Sequence, residues 1–136
     1  MRILLDPHVF LWWVRDDPRL DAPARDLISN YANEIFVSAV SAWEIEIKAA
    51  LGKLKISPDW KRLVAENGFQ WLPVLPRHTE GLRDLPPIHR DPFDRMLVAQ
   101  ARTAHLALLT RDPKVQAYLV PPPVSLRVVT GALRAK

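Results

Sequence analysis

The chain has 136 residues, 49% of them apolar and 25% charged, which fits one globular domain over 1–136 and excludes a disordered tail or a coiled coil. With no cysteine, no apolar run of about 20 residues and only Arg2 ahead of the early Asp6, it offers no disulfide framework, thiolate zinc site, membrane helix or signal peptide, and the cytoplasm is the expected setting. The net charge of +4 is lopsided: residues 1–68 hold nine basic against ten acidic groups and residues 69–136 ten against five, a balance that suits either a polyanion partner or an ordinary soluble surface.

In chain order, Arg2-Ile3-Leu4-Leu5 reads as a buried strand ending at Asp6. Pro7 suits the first position of a helix running to about Val14, with Phe10, Leu11 and Trp13–Val14 on its apolar side. Asp16-Asp17-Pro18 is a turn, residues 23–32 suit a short amphipathic helix, and Ile35-Phe36-Val37 is a second buried strand stopped by Ser38. The best helix runs from Val40 to Leu51 with Gly52 as its stop. Ser57-Pro58-Asp59 has the pattern of an N-cap, a proline at the first position and an acid in the first turn, opening a helix that ends near Asn67-Gly68. Trp71 to Leu75 is a strand candidate weakened by Pro73, and Pro76 to Arg83 a short helix followed by a loop over Leu85–Ile88. Asp91-Pro92 opens a strong helix to about His105, and Ala107-Leu108-Leu109 is a strand. Asp112-Pro113 opens a last short helix to Leu119, Pro121–Pro123 is an extended linker and Leu126–Val129 a final strand. Strands that alternate with helices predict an α/β fold of three layers, a central and mainly parallel twisted sheet flanked by helices, with ligands at the carboxyl ends of the strands.

Two acids, Asp6 and Asp112, follow apolar strands and belong at that edge. Each precedes a proline, as do Asp17 and Asp91, so N-capping alone accounts for each singly; it does not account for further acids arriving at the same edge. Glu44 falls inside the apolar stripe of Val40, Trp43, Ile47, Ala50, Leu51 and Leu54, whereas Glu46 lies about 200° round the helix on its outer face. A carboxylate on the core side needs a cation, and Lys48 one turn on is a simple candidate. Asp91 is the natural N-cap of its helix and Asp94 falls at the third position, where an acid complements the helix dipole. Three or four carboxylates at one edge need opposing charge, and Mg²⁺ or Mn²⁺ is the hard ion that prefers oxygen ligands, binds phosphate and generates hydroxide.

Leu4-Leu5-Asp6-Pro7-His8-Val9, Ser41-Ala42-Trp43-Glu44-Ile45, Asp91-Pro92-Phe93-Asp94-Arg95-Met96-Leu97-Val98-Ala99-Gln100-Ala101 and Leu109-Thr110-Arg111-Asp112-Pro113 together resemble, in order and over essentially the whole chain, the PIN-domain toxins of VapBC toxin–antitoxin pairs. The resemblance implies a Mg²⁺- or Mn²⁺-dependent ribonuclease acting on RNA, restrained by a cognate VapB antitoxin and assembled as a homodimer. It places the family's four acids on Asp6, Glu44, Asp94 and Asp112, with Asp6 and Asp94 as principal metal ligands, Asp112 completing the cluster and Glu44 binding a second metal or orienting water. Thr110 matches a supporting hydroxyl, Asp91 a local cap or outer partner, and His8 a polar position. In one respect the chain departs from the family: Pro7 stands where a Thr or Ser usually follows the first acid.

Arg90, Arg95, Arg102 and Arg111 flank the acids in sequence, either to meet RNA phosphates or as solvated basic faces. His89 and His105 have no spacing that marks a zinc site and read as structural. Trp12 and Trp13 are adjacent and cannot both face one core, so one of them lines a partner groove or packs half-buried. Two other classes stand beside the nuclease. One is a PIN-fold module that binds RNA or antitoxin without cutting, for which Pro7 argues. The other is a hydrolase of small phosphate esters, disfavoured by the lack of a glycine-rich phosphate loop among four glycines.

Overall fold

The computed structural model describes residues 1–87, 90–119 and 127–129. Five strands, β1 (Arg2–Leu5), β2 (Glu34–Ser38), β3 (Gln70–Leu72), β4 (Ala107–Leu109) and β5 (Arg127–Val129), form one sheet in the order β3-β2-β1-β4-β5. Every pairing is parallel. Around it run α1 (Pro7–Val14), α2 (Ala22–Ser29), α3 (Ala39–Ala50), α4 (Arg62–Glu66), α5 (Pro76–Glu80), α6 (Pro92–Thr103) and α7 (Pro113–Gln116), the last continued by a 3₁₀ turn over Ala117–Leu119.

The strands read as continuous apolar runs because both faces of a parallel sheet are covered. Side chains alternate accordingly. Ile3 and Leu5 of β1 join Ile35, Val37 and Leu109 in a core shared with α1, α2 and α4, whereas Leu4 joins Phe36 and Leu108 in a second core under α6. Leu4, Leu5, Leu108 and Leu109 are fully buried, each worth about 1.5–3 kcal/mol relative to exposure. These two cores on either side of the sheet make the three layers expected from the sequence.

Two boundaries and one helix face differ from expectation. The helix expected from Ser57 is confined to Arg62–Glu66, with turns over 58–61. Ser57 turns its hydroxyl to the Asp59 carboxylate instead of capping, and backbone bonds of the tighter i to i+3 type run through Trp60, Arg62 and Leu63. The cause is tertiary: Trp60 is carried wholly into the core, 1% exposed. The third strand starts at Gln70 and stops at Leu72, ahead of Pro73, which has no amide to continue the ladder. On α3 the buried side is Val40, Ser41, Glu44 and Ile45; Trp43 and Leu51, expected in the stripe, are 63% and 64% exposed. The Pro121–Pro123 linker, the start of the last strand at Leu126 and His89 lie outside the described residues.

Strand order places β1 at the centre, with the chain moving outward to β2 and β3 before returning on the other side at β4. The crevice between the carboxyl ends of β1 and β4 is therefore the topological switch point, where ligands of open parallel sheets bind.

Candidate active site

Asp6 leaves β1 directly into this crevice, its amide held by the Leu109 carbonyl at 3.0 Å. It is 3% exposed. Oδ1 accepts the His8 amide at 2.8 Å as the N-cap of α1, and Oδ2 accepts the Thr110 hydroxyl at 2.9 Å. Thr110, itself wholly buried, accepts the Asp112 amide at 3.1 Å. One hydroxyl thus links the ends of β1 and β4 and fixes both acids. It also supplies Asp6 with a hydroxyl that Pro7, the first residue of α1, does not provide.

Asp112 caps α7 by accepting the Lys114 amide at 2.9 Å. Asp91 caps α6, accepting Phe93 at 2.8 Å and Asp94 at 3.2 Å. Asp94 stands on the first turn of α6 and is 9% exposed. Glu44 projects from the buried side of α3 and is 7% exposed; Oε2 receives Lys48 Nζ at 2.7 Å, while Oε1 is buried and accepts no hydrogen bond from the described residues. The i, i+4 partner expected for Glu44 is therefore present, yet half of the carboxylate is left over.

Asp6, Glu44, Asp91, Asp94 and Asp112 line one open cleft of about 260 Å³ together with Pro7, His8, Lys48 and Lys114. Four elements separated by 106 residues of sequence deliver these side chains to one place. Among the described residues no three carboxylates or imidazoles converge tightly enough to hold one ion, and Asp6, Asp91 and Asp112 each turn one oxygen back to the first amides of a helix. The donor set nevertheless suits a hard divalent cation: it is all carboxylate, and Glu44 Oε1 is a desolvated acceptor without a donor.

His8 sits at the mouth, its Nδ1 3.5 Å from Asp6 Oδ1 and its side chain 61% exposed. The Asp6 carboxylate raises its pKa above the ordinary imidazole value, against partial burial, which lowers it. Of the arginines, Arg90 is exposed. Arg95 is turned inward, donating to the carbonyls of Pro86 and Leu82 and to the Tyr118 hydroxyl. Arg111 donates to the Arg19 carbonyl and to Asp21, and Arg102 lies 4.0 Å from Asp84.

Two features escaped the sequence reading. Lys114 enters the cleft beside the acids; its only signal is its place two residues after Asp112. Behind the sheet edge, Ser38 donates to Gln100 Oε1 at 2.5 Å, and Gln100 Nε2 reaches the Pro73 carbonyl and His78 Nδ1. His78 is wholly buried, and this network ties β2, α5 and α6 together.

The family model of the PIN domain matches residues 3–118. Ribonuclease VapC22 of Mycobacterium tuberculosis is 28% identical over 128 residues, covering 91% of this chain and 97% of that protein. Among solved structures, the DNA-bound VapBC of Salmonella typhimurium superposes with a TM-score of 0.67 at 14% identity, over 96% of this chain and 98% of that one. FitAcB of Neisseria gonorrhoeae gives 0.64 at 18% identity over the same shares.

Proposed function

The chain belongs to the PIN-domain family, and from that premise we propose that it is a VapC-like endoribonuclease toxin using Mg²⁺ or Mn²⁺. The observation that carries this reading is the gathering of five carboxylates in one cleft at the switch point of the sheet. Support comes from the likeness to Ribonuclease VapC22, and from the toxin–antitoxin complexes among the structural neighbours. By the same likeness the chain pairs with a VapB-type antitoxin and forms a homodimer.

Asp6 and Asp94 would hold the ion, with Asp112 and Glu44 completing the set. When bound, such an ion polarises the phosphodiester and lowers the pKa of a water molecule. Thr110 keeps Asp6 aimed by donating to Oδ2. Glu44, with one oxygen already fixed by Lys48, orients the attacking water through the other. Lys114 and Lys48 at the rim attract the phosphate and stabilise the charge that develops on it. Hydrolysis leaves a 5′-phosphate and a 3′-hydroxyl.

The test is cleavage of end-labelled RNA by antitoxin-free protein with Mg²⁺, with Mn²⁺, with chelator, and with Asp94→Asn alongside. Cutting that needs metal and falls at least a hundredfold in the variant is expected. Folded protein that binds cellular RNA with either metal but never cuts it would replace this reading with that of a binding module.

A further inference from the structure

A second pocket, of about 310 Å³, shares a wall with the acidic cleft: Pro7, His8, Glu44 and Lys48 line both. Its volume lies at the lower end of the range of about 300–1,000 Å³ typical of ligand sites. Its charge is opposite to that of its neighbour. Arg15, Arg19, Lys48 and Lys53 line it against one acid, Glu44. Lys48 is paired with Glu44 and Arg19 with Asp17. Arg15 donates to a neutral carbonyl, that of Lys55, and feels the Asp17 charge that Arg19 already pairs, and Lys53 has no carboxylate partner among the described residues, so neither is held in an ion pair of its own. Lys53 is set there by the turn ending α3, in which its amide closes on the Lys48 carbonyl at 2.9 Å and Gly52 takes a φ of +72°.

Trp12 forms the aromatic part of this pocket. Its neighbour Trp13 is used structurally, donating to Asn67 and packing on Phe69. Trp12, like Trp13, is half-buried against the core and has the His8 ring 6.2 Å away, but its indole N–H makes no hydrogen bond with the described residues. The Arg19 guanidinium lies over its ring at 5.2 Å and is fixed by Asp17, Nε donating to Oδ1 and Nη2 to Oδ2. Two planar groups held in place, flanked by two cations outside any ion pair among the described residues, have the composition that recognises single-stranded nucleic acid: bases stack on aromatic and guanidinium planes while cations follow the backbone.

We propose that this pocket is a nucleotide subsite, in which the RNA strand leaving the acidic cleft stacks one base on the Trp12–Arg19 platform and sets its phosphates on Arg15 and Lys53. The subsite rests on the reading that RNA is the substrate, but not on its being cut. The shared wall supplies the geometry: carboxylates for a cation line one pocket, basic groups for the polyanion line the other, and four residues belong to both.

The test reads binding apart from cleavage. Anisotropy of a labelled single-stranded RNA oligomer is measured in chelator for wild type, Trp12→Ala, Trp12→Leu, Arg15→Ala and Lys53→Ala. A parallel set of oligomers carries one abasic nucleotide at successive positions. Trp12→Ala and Trp12→Leu are expected to weaken binding roughly tenfold, and the loss should disappear for the oligomer abasic at one position. Arg15→Ala and Lys53→Ala should each lower the slope of log affinity against log salt by about 0.7. Trp12→Leu retains apolar bulk, so it keeps the test open if the alanine variant is poorly folded. Coupling to one abasic position supports the subsite even if wild type cuts nothing in Mg²⁺, in which case only the nuclease reading falls. A loss equal for every abasic oligomer would reveal a merely structural role and overturn the subsite. So would RNA binding within twofold of wild type in a folded Trp12→Leu protein that has lost binding of an acidic peptide, which would assign the pocket to a protein segment instead.

Discussion

At Asp112 one side chain performs two tasks that substitution separates. Its oxygen caps α7, and asparagine caps as well as aspartate does. Asp112→Asn should therefore melt within about a degree of wild type, while RNA cleavage falls tenfold or more. Asp112→Ala should lose the cleavage and also about 1 kcal/mol of stability. Equal cleavage by Asn and wild type would make Asp112 a cap and nothing more. Thr110 gives a sharper test, because its hydroxyl contacts both Asp6 and the Asp112 amide and is not itself a proposed ligand. Thr110→Val keeps the shape and removes the donor. Groups that orient metal ligands are typically worth 10- to 100-fold in metal affinity or activity, so the Mn²⁺ concentration for half-maximal cleavage should rise by that much. An unchanged requirement would show that the hydroxyl serves the fold alone.

Among the elements, α6 and α5 show what the sequence held and what it withheld. Asp91-Pro92 announced the start of α6, because cap and proline are local features. Asp91→Ala is expected to cost about 1 kcal/mol and Asp91→Asn almost nothing; full cleavage by Asp91→Asn would identify Asp91 as the cap that positions Asp94, and its loss would add Asp91 to the ligands. Strands β1, β2 and β4 were equally legible, since burial on both faces leaves an unbroken apolar run such as Ile3-Leu4-Leu5. The acids at the ends of β1 and β4 followed from that reading. Trp60 was not legible: its local pattern favours a helix start, and only the distant core it enters explains the turns in its place. Nor was His78, whose partners Leu75 and Gln100 belong to different elements and carry no shared period. Burial and the nearby Arg77 lower the pKa of His78 below its ordinary value. Nδ1 accepts the Leu75 amide at 3.0 Å, a bond that protonation there destroys. The unfolded chain then takes up a proton first. Stability is complete above about pH 6.5, the ordinary histidine value, and declines as the pH falls toward the lowered folded value. Melting temperatures at pH 7.5 and 5.5 should show this decline in wild type and a shallower one in His78→Asn. Identical slopes would mean that other groups carry it.

For the whole molecule, the decisive feature is that opposite charges are sorted across a common wall. The acidic cleft sets Asp6, Glu44, Asp91, Asp94 and Asp112 against Lys48, Lys114 and His8. Like charges gathered in one cleft destabilise the fold that holds them, and are retained where a ligand neutralises them. This predicts a stability signature independent of any RNA. Mn²⁺ at a hundredfold excess over its Kd should stabilise wild type by about 2.7 kcal/mol, a rise in Tm of roughly 5–15 °C for a domain of this size. In chelator, the double variant Asp6→Asn, Asp94→Asn should melt above wild type, since asparagine keeps the cap on α1 and removes two repelling charges. It should then gain nothing from Mn²⁺. A double variant that melts well below wild type in chelator would mean that the carboxylates act as structural anchors, held by Thr110 and the helix amides rather than for a cation. An equal Mn²⁺ shift in both proteins would place the ion elsewhere. If the expected pattern holds, the acids weaken the free protein, the ion restores it, and the cations across the wall remain free to receive a polyanion.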